Sequence, residues 1–380
     1  MSWARRYAPL PIALVRKALS LASLLLFACS GTKVQGVLAR APSGEQVLAR
    51  EKGTLQLFDL PSRKSVWQAV LPDWNEYRDY YAIFSTGGRY FVLGEQQRTS
   101  PVRTLYSVWE SASGRRVSPY YEHPNGRLSY AGGLAVSDDG RWLATDRGND
   151  QGQLQLIEVR TQRVSFEIGP QSFSPIQFSP DSQFLAIPSE LFRLDGEGWR
   201  SIGKFPGGFS SVWVGMRLAV ATPNGVDIWD GGKVSQHIDY PFKFVHDQQM
   251  SPEFNVYLRA SDSLLAVCEK AEDPYLTLYD VARGAKPVER RGLGSLAGLT
   301  FRGDTAFWLT FRDKFDTFVT VFDVRAGKVV REVGFGAYAS GGPVASPHNT
   351  YFLPHLLEHG HYLELFDEGD LSSRFKPIEH

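Results

Sequence analysis

The chain has 380 residues, of which 43% are apolar and 13% aromatic, and its 41 Lys and Arg balance 41 Asp and Glu. This composition is typical of a folded globular protein and excludes a disordered or collagen-like chain. The balanced charge argues against a dedicated nucleic-acid-binding protein, which carries a basic excess. The 36 Gly and 22 Pro beside only 3 Met favour short strands joined by turns.

Residues 1–28 have the pattern of a secretory signal peptide. Arg5, Arg6, Arg16 and Lys17 are the charged residues in this segment, and an apolar run over 18–28 ends it. That run is shorter than the roughly 20 residues that a bilayer-spanning helix needs, so it predicts a cleaved signal helix. Cleavage would leave an excess of acidic residues and a net charge of about −4, which strengthens the argument against nucleic-acid binding.

The end of this segment, Leu26-Phe27-Ala28-Cys29, resembles the lipobox of bacterial lipoproteins, although Phe27 is bulkier than usual. The resemblance implies cleavage before Cys29, acylation of Cys29, and a short tether within residues 29–36. Two or more acyl chains anchor a protein stably, whereas one chain binds marginally. Ser30 follows the cysteine, which by the same resemblance is compatible with the outer membrane. We therefore expect an exported, membrane-anchored protein, with the membrane and its leaflet left open.

The rest of the chain repeats one pattern, an alternating apolar strand that ends in an acidic residue. The repeats are 35 to 51 residues apart. A turn and another apolar strand precede each acid, and a further turn and strand follow it. We interpret the acids as structural, because such a carboxylate accepts N–H groups of the following turn. The acids are Asp59, Glu110, Glu158, Asp195, Asp230, Asp280, Asp323 and Asp367.

Four short strands per unit of about 40–45 residues are typical of a β-propeller blade. The sequence predicts an all-β propeller over 37–380 with eight four-stranded blades, seven being the alternative. The run from Phe178 to Ala186 and the pair Trp229-Asp230 resemble WD40 and TolB-like repeats, and this resemblance implies the same architecture. Since a closed ring exposes few sheet edges, we expect a monomer without disulfides and interpret Cys268 as a buried strand-end thiol.

Two stretches carry aromatic residues in connections between repeats. Trp74, Tyr77, Arg78 and Tyr80 follow the first repeat, and Tyr120 with Tyr121 follows the second. In a propeller such connections lie on one face, and Trp, Tyr and Arg are frequent in interface hot spots. We predict that these residues bind a protein or peptide partner. The alternative is that their rings only pack between blades.

The sequence carries no familiar catalytic motif, and we expect no cofactor and no metal. His355, His359 and His361 are of a ligand type, but we interpret their segment as a polar loop and leave metal binding open. The sequence thus favours a non-enzymatic, protein-binding scaffold in the bacterial cell envelope. One alternative is an outer-membrane assembly or trafficking component. Another is a hydrolase or lyase with a site at the central mouth of the propeller.

Overall fold

A computed structural model describes residues 33–367 except 36, 44, 52, 60–61, 63, 72–77, 98–101, 124–132, 147–152, 170–175, 188, 197, 206–209, 241, 243–255, 270–274, 285–287, 291–294, 303, 312–316, 336–343, 346–349 and 358–359. The regular elements in this part of the chain are 33 β-strands, which confirms the all-β prediction. The signal segment 1–28 and Cys29 lie outside the described residues.

The described strands form eight antiparallel sheets, which we number 1 to 8 in chain order. The first strand, β1 (Lys33–Gln35), belongs to the last sheet. Sheet 1 contains β2 (Val37–Arg40), β3 (Gln46–Glu51), β4 (Thr54–Asp59) and β5 (Lys64–Val70). Sheet 2 contains β6 (Arg78–Phe84), β7 (Tyr90–Gln97), β8 (Arg103–Glu110), β9 (Arg115–Arg116) and β10 (Tyr121–Glu122).

Sheets 3 to 5 each contain four strands. Sheet 3 contains β11 (Leu134–Val136), β12 (Trp142–Asp146), β13 (Leu154–Glu158) and β14 (Arg163–Ile168). Sheet 4 contains β15 (Gln177–Phe178), β16 (Phe184–Ile187), β17 (Glu190–Asp195) and β18 (Gly198–Lys204). Sheet 5 contains β19 (Ser210–Val214), β20 (Arg217–Thr222), β21 (Gly225–Asp230) and β22 (Lys233–Asp239).

Sheets 6 to 8 complete the order. Sheet 6 contains β23 (Val256–Ala260), β24 (Leu264–Glu269), β25 (Tyr275–Asp280) and β26 (Val288–Arg290). Sheet 7 contains β27 (Ser295–Arg302), β28 (Thr305–Phe311), β29 (Thr317–Asp323) and β30 (Lys328–Phe335). Sheet 8 contains β31 (Val344–Ala345), β32 (Thr350–Leu357), β33 (Gly360–Asp367) and, beside β33, β1.

The contacts between sheets place them around a common axis, and the innermost strands are β2, β6, β11, β15, β19, β23, β27 and β31. Inner strands of neighbouring sheets contact one another, as β2 does with β6 and β19 with β23. In sheets 2 to 6 the middle strands are buried on both faces because each of these sheets packs between two others. Sheet 3 packs on sheet 4 in this way, where the rings of Trp142 and Trp199 meet edge to face at 5.8 Å.

The beginning of the chain joins the last sheet to the first. Strand β1 pairs with β33, with Lys33 opposite Glu364, and β2 then begins sheet 1. Contacts between β1 and β3 and between β2 and β33 connect the two sheets. The sequence assigns residues 29–36 to the tether, whereas the sheet already includes Lys33–Gln35. Pairing of β1 with β33 covers an edge of sheet 8 that would otherwise be open.

The ring has two faces. On one, which we call the turn face, lie the turns between first and second strands, such as 85–89, and the turns that follow the repeated acids. On the other, the connection face, β5 ends at Val70 and β6 begins at Arg78. Strand β1 runs antiparallel to β33, from the turn-face side toward the connection face, and Lys33 lies opposite Glu364, three residues before the end of β33.

The repeated acids accept a backbone N–H of the following turn, as the sequence predicts, at three positions, and at two others they accept a side-chain hydroxyl of that turn instead. The Glu110 and Glu158 carboxylates accept the hydroxyls of Ser113 at 2.5 Å and Thr161 at 2.7 Å. The Thr161 bond is the main reason that the pKa of Glu158 is lowered. Three Asp carboxylates accept a backbone N–H three residues on: Asp59 from Ser62 at 2.9 Å, Asp280 from Arg283 at 3.0 Å and Asp323 from Ala326 at 2.8 Å.

Candidate functional site

A cavity of about 440 Å³ lies at the turn-face end of the central channel. The inner strands of sheets 2 to 6 and Pro42 of sheet 1 form its wall. Much of that wall is apolar, with Phe84, Val136 and Trp213 among the lining residues. Such a concave, largely apolar space is the usual place to look for a ligand, so its polar groups decide what it does.

The hydroxyl groups of Ser85 and Thr86 on this wall are bonded within the protein. The Ser85 hydroxyl donates a hydrogen bond to the carboxylate of Asp138, a buried residue of sheet 3. The Gly87 N–H donates to the same carboxylate at 2.5 Å, and the Arg89 N–H does so at 3.4 Å. The Thr86 hydroxyl donates to the Phe178 carbonyl of sheet 4 at 2.5 Å. These bonds connect the turns of sheets 2, 3 and 4.

In sheets 3 and 4 the turn between the first two strands contains its own carboxylate. In sheet 2 that turn has none, and Asp138 of the neighbouring sheet supplies it. In sheet 3 the Ser137 hydroxyl donates to Asp139 at 2.6 Å, and the Arg141 N–H donates to the same oxygen at 2.9 Å. The corresponding residue of sheet 2 is Gly87, which has no side chain. A Cβ at Gly87 would overlap the Asp138 carboxylate, so the glycine makes room for the acid of the neighbouring sheet.

Sheet 4 has the same internal turn as sheet 3. The Ser179 hydroxyl donates to Asp181 at 2.5 Å, and the Gln183 N–H donates to that carboxylate at 3.0 Å. The repeat pattern does not predict the contact made by Asp138. The only signal is that Ser85-Thr86-Gly87 lacks the acid present in Ser137-Asp138-Asp139 and Ser179-Pro180-Asp181.

Two of the predicted partner-binding tyrosines pack between sheets. Tyr80 lies in β6, against the core cluster between sheets 1 and 2, and the Arg50 guanidinium lies 4.6 Å from its ring centre. Tyr121 lies in β10 rather than in a connection, and its ring stacks on that of Tyr106 at 6.5 Å. Its hydroxyl donates to Gln155 of sheet 3 at 3.3 Å. The sequence placed Tyr121 in a connection because the outer strand of sheet 2 is broken into β9 and β10.

Tyr120 is partly buried at the outer side of sheet 2. The Arg116 guanidinium lies 4.3 Å from the centre of the Tyr120 ring. The side-chain amide of Gln162 of sheet 3 donates a hydrogen bond to the Tyr120 backbone carbonyl at 2.7 Å. Burial, with Glu95 nearby, raises the pKa of the Tyr120 hydroxyl. Arg78 begins β6, and its backbone pairs with Gln97. Trp74 and Tyr77 lie outside the described residues, so partner binding by this set stays a prediction.

The remaining candidate residues are Cys268 and the histidines of sheet 8. Cys268 is a buried, free thiol near the end of β24, as the sequence predicts, and burial raises its pKa to about 12. His359 lies outside the described residues, and only the backbones of His355 and His361 are described, where they belong to β32 and β33. Among the described residues no group of three His, Cys, Asp or Glu is placed to hold a metal ion.

No helix in the described part of the chain combines the length and apolar character needed to cross a bilayer. No protein-family model matches the chain, and no curated protein sequence matches it either. Its likeness to known proteins is therefore one of structure alone.

Three solved structures with a similar fold are distant in sequence. The computationally designed Ika8 protein matches with a TM-score of 0.55 and 14% identity, over 88% of this chain and 98% of its own. The dihydro-heme d1 dehydrogenase NirN matches with 0.54 and 15%, over 92% and 77%. The WD40 domain of SCAP from fission yeast matches with 0.53 and 12%, over 89% and 97%. With the sheet topology, these matches show that the chain has a WD40-like β-propeller fold.

Proposed function

We propose that this protein is an exported, lipid-anchored propeller of eight blades that binds a protein partner in the bacterial cell envelope. The observation that best supports a binding role over a catalytic one is that polar side chains beside the channel cavity form hydrogen bonds within the protein. Ser85, Thr86 and Asp138 are bonded to one another's turns or to backbone, which is the behaviour of structural residues. Propellers of this kind host many functions, so the surface must supply the specificity.

The proposed contact surface is the set of residues that the sequence predicts in the connections after the first and second repeats. Tyr80 and Tyr121 are used in packing between sheets, so the proposal now depends on Trp74, Tyr77 and Arg78, and on Tyr120 at the outer side of sheet 2. Trp and Tyr provide large contact areas with few rotatable bonds, and such residues dominate binding energy at interfaces. The WD40 domain of SCAP and the yeast protein Sqt1 have the same fold, with TM-scores of 0.53 for both, and supply no residue-level correspondence.

Alanine at Trp74 and Tyr77 is expected to weaken partner binding by about tenfold or more, since one hot-spot truncation costs about 2 kcal/mol. The measurement is site-specific photocrosslinking in intact cells, with the photoreactive residue at position 120. Val234→Ala, on the outer strand of sheet 5, is the control and is expected to leave the crosslinked adduct unchanged. Loss of the adduct in both variants, or in neither, would contradict a specific surface.

The anchor has its own test. Replacing Cys29 by Ser removes the only acylated thiol that the lipobox resemblance implies, so the protein is expected to move from the membrane fraction to the soluble fraction. The measurement is membrane fractionation by flotation, together with mass spectrometry of the N-terminus of the unchanged chain. A Cys29→Ser protein that still floats with membranes would show that the lipid is not what holds it.

A further inference from the structure

The place of β1 in the fold determines which part of the ring lies nearest to the proposed lipid anchor. Three residues separate Cys29 from Lys33, so an extended chain keeps Cys29 within about 14 Å of the start of β1. Strand β1 is the outer strand of sheet 8 and runs from the turn-face side toward the connection face, with Lys33 opposite Glu364, three residues before the turn-face end of β33. The turn-face rim of sheet 8 is thus within reach of the anchor.

The outer strands on either side of sheet 8 carry exposed apolar side chains at the same rim. Sheets 1 and 7 flank sheet 8, and their outer strands are β5 and β30. Val66 of β5 is 47% exposed, and Val329 and Val330 of β30 are 45% and 60% exposed. All three lie within two residues of the strand start, where the chain leaves the turn face.

Each of these strands begins with an exposed lysine, Lys64 in β5 and Lys328 in β30. A lysine can lay its alkyl stem along an apolar surface while its ammonium group reaches phosphate or water, which suits a membrane interface. In the strand register, Lys64 pairs with Asp59 and Lys328 pairs with Asp323. Because each lysine has an acid beside it, net charge does not favour contact between this rim and a membrane. The exposed valines and the nearby anchor do.

We propose that the rim formed by Lys64, Val66, Lys328, Val329 and Val330 rests on the lipid bilayer that holds Cys29. The opposite, connection face of the ring then points away from that bilayer and stays open to a protein partner. This inference rests on the proposed lipid anchor. One tether alone would let the ring tumble on the surface, whereas contact through the rim fixes one orientation.

The chain offers matched control positions on the far side of the ring. Val164 of sheet 3 and Val234 of sheet 5 also lie near the start of an outer strand, and they are 44% and 48% exposed. They therefore match Val329, also the second residue of its strand, in residue type, strand position and exposure, and they match Val66, the third residue of β5, in residue type and exposure. They differ in distance from sheet 8 along the ring.

The experiment places an environment-sensitive fluorophore at each of these four positions, one at a time, through a valine-to-cysteine change in the full acylated chain. The buried Cys268 thiol, with its raised pKa, is protected from the thiol reagent. The labelled proteins are reconstituted into phosphatidylcholine vesicles that contain lipids with a nitroxide on the headgroup. Near-UV circular dichroism of each variant confirms that it is folded.

We expect the nitroxide lipids to quench the probes at 66 and 329 several-fold more than the probes at 164 and 234. Equal quenching at all four positions, in protein that floats with the vesicles, would overturn the orientation and leave the anchor intact. If the unlabelled chain does not float, and the reagent also modifies Cys29, the anchor itself is wrong and the orientation falls with it. Stronger quenching at 164 and 234 would show the ring to be turned the other way.

Discussion

Replacing Phe91 by Ala is expected to lower the free energy of unfolding by about 3–5 kcal/mol, the usual cost of truncating a buried aromatic ring. Phe91 of sheet 2 is fully buried and lies between two tryptophans. Its ring is stacked on Trp67 of sheet 1 at 6.2 Å and on Trp109 at 6.1 Å, with the planes within 11° of parallel. The change would leave a cavity at the junction of sheets 1 and 2 that the rigid tryptophan rings cannot fill.

The surroundings of Trp67 explain why the site would not collapse around alanine. Its indole N–H donates to the Ser111 carbonyl at 2.6 Å, which fixes the ring against sheet 2. Gly114 lies against the same ring with a φ of 65°, and a Cβ there would overlap it. Because the ring is held by a hydrogen bond and by close packing, it cannot move into the vacated volume without losing both.

The measurement for Phe91→Ala is the midpoint of denaturant unfolding of the full chain in detergent. Far-UV circular dichroism reports the fraction unfolded. Phe91→Leu retains most of the buried volume and should lose less stability. Val70→Ala, in a side chain that is 78% exposed on β5, is the control and should change stability by no more than about 0.5 kcal/mol. A Phe91→Ala midpoint equal to that of Val70→Ala would refute the role of the stack.

The repeat pattern was enough to predict the strands and, at Asp59, Asp280 and Asp323, the bond from a backbone N–H of the following turn. An alternating run that ends in an acid, such as Leu154–Glu158, gives both the strand and the turn that follows it, because neighbours in sequence make those contacts. The same reasoning failed where the partner is distant in sequence. Tyr121 shows this, since β10 follows a break in the outer strand that no local pattern in 110–123 announces.

Contacts between sheets were also beyond the reach of a single sequence. The pairing of Lys33–Gln35 with β33 joins residues more than 300 positions apart. Thr86 reaches the Phe178 carbonyl over 92 positions. Such contacts are set by how many sheets share the axis and by the angle between them, and neither quantity is written in the periodicity of one strand. The partner-binding hypothesis has the same limitation, because it depends on which aromatic rings the packing of sheets has already used.

Replacing Asp138 by Ala is expected to lower the free energy of unfolding by about 2–4 kcal/mol, because buried donors lose a charged acceptor. The Ser85 hydroxyl and the Gly87 N–H donate to this carboxylate from the neighbouring sheet. Asp195→Ala is the control. Its side chain is 65% exposed and has a loose 3.6 Å contact with Arg200, so the change should be close to neutral.

Gly87→Asp distinguishes the loss of this acceptor from a general disturbance of the turn. In the unchanged chain the new side chain would overlap the Asp138 carboxylate and repel its charge, so the single substitution is expected to destabilise. In the Asp138→Ala background the space is vacant, and the new carboxylate takes the position that Asp139 has relative to Ser137. There it can accept the Ser85 hydroxyl, so the same substitution is expected to stabilise. The unfolding midpoints of Gly87→Asp, Asp138→Ala and the double variant give the coupling free energy between the two substitutions. Additive effects would show that the carboxylate at 87 does not take over the role of Asp138.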